Sequence, residues 1–177
     1  MQPLIPQFRP ATESDVPQLR LLYNDIIDAM DASRWHARWR KDGYPADADL
    51  AAVARAEELY LCTVAGELAG AMVLNHAYNP GYDQAPWAVA CPAAEVLCIH
   101  TLGVSPRMQR CGIASALVGH AAAIARAAGC KCLRLDVIEG NLPADLLYRR
   151  LGFEFRGAYR LRYDSVCSEF NLYELVL

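Results

Sequence analysis

The chain is predicted to fold as a mixed α/β domain with the order βααβββαβαββ. Three observations carry that prediction. Strand-like and helix-like patterns alternate along all 177 residues, with no repeat, low-complexity tract or linker. A strand–helix–strand unit from Glu95 to Ile138 implies a right-handed crossover, and therefore one parallel pair. The other strands give a mixed, mostly antiparallel sheet flanked by helices. This length predicts one domain, residues 1–177.

Ile5 to Arg9 reads as a first strand, and Thr12-Glu13-Ser14-Asp15 as a helix start, with Pro17 tolerated in the first turn. The helix runs to Met30, with Val16, Leu19, Leu22, Tyr23, Ile26 and Ile27 on one face. An aromatic, basic stretch follows, Trp35 to Pro45; Asp47 or Asp49 then caps a short helix through Ala56. Leu59 to Ala65, Gly66-Glu67 and Leu68 to Tyr78 form a β-hairpin. A long loop holds Asn79-Pro80-Gly81 and Ala85-Pro86-Trp87; loops of that length are usually functional or mobile. Glu95 to Val104 is a strand, Ser105 to Gly112 a loop, and Ile113 to Ala128 a helix ended by Gly129. Lys131 to Ile138 is a strand with Leu133, Leu135 and Val137 on one face and Cys132, Arg134 and Asp136 on the other. Leu142 to Leu151 is a helix ended by Gly152, and Phe153 to Arg162 and Phe170 to Leu177 complete the strands.

Composition excludes several classes. An apolar fraction of 54% and a net charge of −3 rule out intrinsic disorder, although 29 alanines inflate the first figure. An acidic balance argues against general nucleic-acid binding. The longest apolar stretch, Ile113 to Ala128, is interrupted by His120 and Arg126 and is too short for a membrane span. Residues 1–90 hold 7 basic and 12 acidic side chains, residues 91–177 hold 10 and 8, so the halves carry −5 and +2. Met1 to Pro6 shows no secretory pattern. With that, an odd count of seven cysteines points to reduced thiols and a cytoplasmic setting. Cys130 and Cys132 form C-x-C with no nearby His, so no metal is expected.

Gln109-Arg110-Cys111-Gly112-Ile113-Ala114 lies between a strand and a helix. Such a turn aims free backbone N–H groups at an anion. Gly112 allows close backbone approach, Ala114 keeps the helix start slim, and Arg107 and Arg110 add positive charge. One strand later comes Asn141-Leu142-Pro143-Ala144-Asp145-Leu146-Leu147-Tyr148-Arg149-Arg150-Leu151-Gly152-Phe153. Together these resemble the GNAT superfamily of acetyl-CoA-dependent N-acetyltransferases, over roughly residues 95–160. Gln109, Gly112 and Ala114 match one family element. Asn141, Ala144, Leu147, Tyr148, Leu151, Gly152 and Phe153 match another.

The resemblance implies a GNAT-like fold whose parallel pair splays at about Val104 and Ile138, and an acetyl-CoA site. The backbone of Leu102, Gly103 and Val104 would pair with the pantetheine arm as an added strand. The amides of Arg110 to Ala114, which include Cys111 and Ile113, would hold the pyrophosphate. Asn141 would contact the pantetheine, with Ala144 and Leu147 on the same helix. Tyr148 would lie near the sulfur and protonate the leaving thiolate.

A base is less determined. His100 alternates with Cys98, Leu102 and Val104 and titrates in the useful range. Glu95 is the second candidate, nominally on the other face unless a bulge intervenes. A water relay is the third. Cys111 reads as a bystander. Substrate-wall candidates are Trp39, Tyr44, Tyr78 and Trp87, with Asp31, Asp42 and Asp83 as acids for an ammonium.

The favoured reading is acetylation of a small primary amine by direct attack in a ternary complex, with neither nucleic acid nor membrane as partner. A homodimer stays open. The alternatives are a peptide or protein acetyltransferase acting on N-termini or lysine, and a non-catalytic acyl-CoA-binding module. A dinucleotide-binding fold is excluded because no G-x-G-x-x-G follows the first strand.

Overall fold

A computed structural model describes residues 5–163 and 166–177. The part of the N-terminal reading that falls on residues 1–4 lies outside them. The elements are β1 (Gln7–Pro10), α1 (Val16–Asp31), α2 (Asp47–Arg55), β2 (Leu59–Val64), β3 (Glu67–Asn75), β4 (Val96–Val104), α3 (Ile113–Ala127), β5 (Cys132–Ile138), α4 (Leu142–Arg150), β6 (Glu154–Tyr163) and β7 (Val166–Val176). Their order is the expected one. The strands are hydrogen-bonded in the order β1-β2-β3-β4-β5-β7-β6, with β4–β5 parallel and β1–β2, β2–β3, β5–β7 and β6–β7 antiparallel. This is the expected mixed sheet, with β4–β5 as a parallel pair.

The described residues sort into two compact units, one holding residues up to Leu74 with Thr101–His120, the other Asn75–His100 with Ala121–Leu177. The first unit is built on apolar periodicity. Leu19, Leu22, Tyr23 and Ile26 of α1 join Leu50 and Ala54 of α2 and Leu59, Leu61, Ala71 and Val73 of the hairpin in one cluster. Asp15 starts the first helical segment by accepting from the Thr12 N–H at 2.8 Å and from both Arg9 guanidinium nitrogens. Asp49 reaches back to the Ala46 N–H at 2.9 Å, as an N-terminal carboxylate should. The hairpin turn is Ala65-Gly66, both with positive φ, one residue earlier than the expected Gly66-Glu67. Gly70 is fixed by crowding: a Cβ there would sit 2.7 Å from the Gly103 carbonyl oxygen.

The second unit packs Tyr82, Val96, Cys98, Cys132, Ile138, Leu161, Phe170 and Leu172 into one cluster. The segment between β3 and β4 is not a bare loop. Pro80–Gln84 and Ala93–Glu95 form short 3-10 turns, and β3 ends at Asn75 rather than continuing to Tyr78. Asn79 anchors the first turn by accepting from Gly81 N and donating to the Arg162 carbonyl at 2.8 Å.

Candidate active site

β4 is interrupted where chemistry was expected. Its parallel pairing with β5 runs Val96–Cys132, Leu97–Leu133 and Cys98–Arg134. Both strands continue past that point, so the partners begin to part at Ile99 and Leu135. The expected splay at about Val104 and Ile138 therefore starts several residues earlier. Thr101 then takes φ 51°, a left-handed conformation that is costly for a β-branched residue. The Tyr23 hydroxyl donates to the Thr101 carbonyl at 2.8 Å, and the Tyr44 hydroxyl bonds the Thr101 Oγ1. The bulge breaks the alternation that put His100 on one face with Leu102 and Val104.

In the first unit, the residues after the bulge are held by packing. A Cβ at Gly103 would meet Ile26 Cδ1 at 2.8 Å and Tyr23 Cε1 at 3.3 Å, with Trp39 at 3.6 Å. Trp39 meets Tyr23 edge-on at 5.5 Å. Trp39 and Tyr44, two of the four expected substrate-wall residues, thus sit against the bulged part of β4. Leu102 and Val104 are half-buried, and the Ser105 N–H donates to the Ala69 carbonyl at 2.8 Å.

The turn from Gln109 to Ala114 belongs to the same unit. Arg110 and Gly112 have φ 62° and 82°, and nothing lies within 4 Å of a Cβ built on Gly112. Arg110, Cys111 and Gly112 are exposed, Ile113 is buried beneath them and Ala114 is half-buried. Ala116 N closes the first helical bond, onto the Gly112 carbonyl at 2.9 Å. The amides before it therefore precede the helical ladder, on an open surface beside Arg110. An anionic group such as a pyrophosphate fits that donor set.

The second unit carries the other candidates. Asn141 stands at the start of α4 with no side-chain cap hydrogen bond, and Ala144 N and Asp145 N donate to its carbonyl, each at 3.1 Å. Ala144 and Leu147 are half-buried on the same helix. Tyr148 is 7% exposed, edge-on to Phe153 at 5.4 Å. Among the described residues its hydroxyl has no hydrogen-bond partner. Burial, helped by the charge of Asp136, pushes the phenol well above its usual range, so it stays a proton donor.

His100 Nε2 lies 2.9 Å from the Ala77 carbonyl. A carbonyl only accepts, so Nε2 carries a proton and Nδ1 is the basic nitrogen of the neutral ring. Glu95 sits elsewhere, in the short turn before β4, where its carbonyl takes the Lys131 N–H at 2.8 Å. Five residues of chain, about 16 Å of strand, separate it from His100. The structure does not bring these two base candidates together.

Tyr78 and Trp87 are half-buried and pack against the apolar cluster of their own unit. Tyr78 stacks on Tyr82 at 5.6 Å, and Trp87 donates its indole N–H to the Tyr82 carbonyl at 2.8 Å while Arg134 covers its ring at 4.2 Å. Both rings are occupied by their own unit. Of the acids, Asp31 pairs with His36 and Asp42 with Arg40, both on the surface.

Two polar clusters of the second unit were not anticipated. The Asp136 Oδ2 accepts from the Tyr82 hydroxyl at 2.8 Å and from the Tyr163 hydroxyl. Glu174, fully buried, accepts at Oε1 from Arg134 and at Oε2 from Arg156 and Ala88 N. The available signal was the alternation that puts Arg134 and Asp136, two charged residues, on one face of a sheet strand. Among the described residues, no three His, Cys, Asp or Glu side chains come together as metal ligands, and no helix is long and apolar enough to cross a membrane.

Comparison with known proteins adds to this geometry. Residues 22–153 match the family model described as acetyltransferase (GNAT) family. A streptothricin acetyltransferase of Streptomyces lavendulae is 40% identical over 73 residues, which span 41% of this chain and 39% of that relative. A GNAT-family acetyltransferase structure from Streptococcus agalactiae superposes with TM-score 0.81 at 19% identity, covering 98% of both chains. An acetyltransferase structure from Salmonella typhimurium, yncA, solved with its cofactor acetyl-CoA, gives TM-score 0.69 at 14% identity over 97% of this chain and 94% of that one.

Proposed function

This chain belongs to the GNAT family of acetyltransferases, and from that premise we propose that it moves the acetyl group of acetyl-CoA to a primary amine of a small molecule by direct attack in a ternary complex. The turn at Arg110 to Ala114, with its open amides and left-handed residues, is the observation that carries the donor assignment. Acetyl-CoA supplies the thioester carbonyl. The chain supplies the rest: the amides of Arg110, Cys111, Gly112, Ile113 and Ala114 hold the pyrophosphate, with Gln109 at the turn's entry. The backbone of Leu102, Gly103 and Val104 lines the pantetheine, with a Val104 or neighbouring N–H for the oxyanion. Asn141 holds the pantetheine from α4.

The ammonium gives a proton to His100 Nδ1, the free amine nitrogen bonds the acetyl carbon, the C–S bond breaks, the thiolate takes the Tyr148 proton, and the surplus proton on the new amide nitrogen restores Tyr148. Trp39 and Tyr44 supply the acceptor wall. The match to a streptothricin acetyltransferase supports an acceptor of that kind over a protein terminus. A cytoplasmic setting, where the free cysteines stay reduced, completes the proposal.

The test is thiol release from acetyl-CoA across a panel holding streptothricin, simple diamines, and lysine and N-terminal peptides. Turnover with small amines alone is expected; turnover confined to peptides would overturn the acceptor class. Binding of acetyl-CoA with no thiol release from any member would make the chain an acyl-CoA-binding module. Tyr148→Phe is expected to lower kcat by roughly a hundredfold with little change in acetyl-CoA affinity. Equal loss of both would remove Tyr148 from the acid role.

A further inference from the structure

Just past the end of the parallel pairing of β4 and β5 stand two residues whose charges act on each other. The last paired residues are Cys98 and Arg134. Two residues on, with the same orientation on each strand, stand His100 and Asp136. The Asp136 carboxylate is held from below by the hydroxyls of Tyr82 and Tyr163, both on Oδ2. No hydrogen bond to Oδ1 is formed among the described residues. His100 is held by its Nε2–H on the Ala77 carbonyl. Each group is thus fixed from behind.

We propose that Asp136 is a positioning residue for proton transfer, a carboxylate set behind His100 that stabilises the imidazolium formed when Nδ1 takes the amine proton. The inference rests on the reading of His100 as the base.

Several groups packed around Asp136 keep a fixed charge over the neutral range. Burial pushes the Tyr82, Tyr163 and Tyr148 phenols up, and the Cys98 thiol up to about 12. All four stay protonated. Arg134 keeps its charge and is paired with Glu174. Burial also lifts the Asp136 carboxyl, while the Tyr163 and Tyr82 hydrogen bonds and then the charge of His100 draw it back. The Ala77 carbonyl orients the ring, and the carboxylate contributes its charge.

The test is the pH dependence of kcat/KM for thiol release in Asp136→Asn, Asp136→Glu and His100→Gln. Asparagine keeps an acceptor for both phenols and removes the charge. Its acidic limb is expected to move about one unit to lower pH, because the imidazolium loses its partner. Its plateau should fall roughly tenfold. Asp136→Glu, which restores the charge, should return the limb toward its original place. An unmoved limb in Asp136→Asn, or equal behaviour of the asparagine and glutamate variants, overturns the proposal. If His100→Gln keeps both limb and rate, the base reading falls instead. If Asp136→Asn alone abolishes turnover while His100→Gln does not, Asp136 is itself the base and the proposal is overturned. In the unaltered chain, the ring resonances of His100 should show a second, acidic inflection from Asp136 ionisation. A single inflection overturns the coupling even if a variant fails to fold.

Discussion

The two units of the chain solve the same problem, covering a sheet, with different chemistry. The first covers its strands with leucine, isoleucine and alanine from α1 and α2. Arg55–Glu13 and Arg40–Asp42 lie at its surface, and Arg20–Asp47 and Arg9–Asp15 each keep one exposed partner. The second places charges inside. Glu174 is 0% exposed and Arg134 5%, and both oxygens of Glu174 are saturated by hydrogen bonds. The difference teaches where specificity lies. An apolar cluster tolerates repacking if volume is kept, whereas a buried charge is bearable only with all its partners present.

The largest expected effect tests that contrast directly. Glu174→Ala leaves two arginines without their buried anion and should cost about 3–5 kcal/mol, read by urea denaturation. A loss no greater than that of an exposed pair such as Arg55–Glu13 would break the contrast.

The next compares two aromatics from the expected substrate wall. Trp87→Ala removes packing, an indole hydrogen bond and the surface beneath Arg134, and should cost about 3 kcal/mol of stability. Tyr44→Phe, at a residue 48% exposed, loses one hydrogen bond to Thr101, should cost no more than about 1 kcal/mol of stability, and should raise the KM for the amine. The reverse result would restore Trp87 to the acceptor site.

The smallest concerns acid. Arg9, the largest influence, and the Thr12 amide hold the Asp15 carboxyl well below the usual carboxylate range. Its folded pKa is depressed, so its contribution is complete above the unfolded value of about 4 and is lost as pH falls toward the folded one. Asp15→Asn should remove that part of the acid-induced loss, and cost about 1 kcal/mol at neutral pH from the weakened helix start.

The element order was readable because the first unit obeys simple periods. The stripe Leu19, Leu22, Tyr23, Ile26 is the buried face of α1, and Gly129 and Gly152 end their helices with positive φ. The open turn before α3 was readable because a helix start there needs little more than glycine and room. Three things were not. The bulge at Thr101 has no local signal, since a β-branched residue disfavours that conformation and hydroxyls far away in the chain, on Tyr23 and Tyr44, hold it. The early parting of β4 and β5 depends on where pairing stops, which strand periodicity does not encode. The Asp136 cluster draws Tyr82 and Tyr163 from 54 and 27 residues away. Alternation showed which face Asp136 occupies but not what would meet it there.

The crowding around Gly103 has a consequence for anyone mapping this protein by saturation mutagenesis. Every missense change at a glycine codon adds at least a Cβ, and here that atom would lie 2.8 Å from Ile26. Position 103 should score as intolerant even in a selection for folding alone. Its neighbours Leu102 and Val104, if they serve the donor through main-chain atoms, would score as permissive. A tolerance map of β4 would then invert the functional order, marking the packing residue as essential and the binding residues as dispensable. Separating the two requires a paired readout, abundance beside acetyl transfer, at each codon.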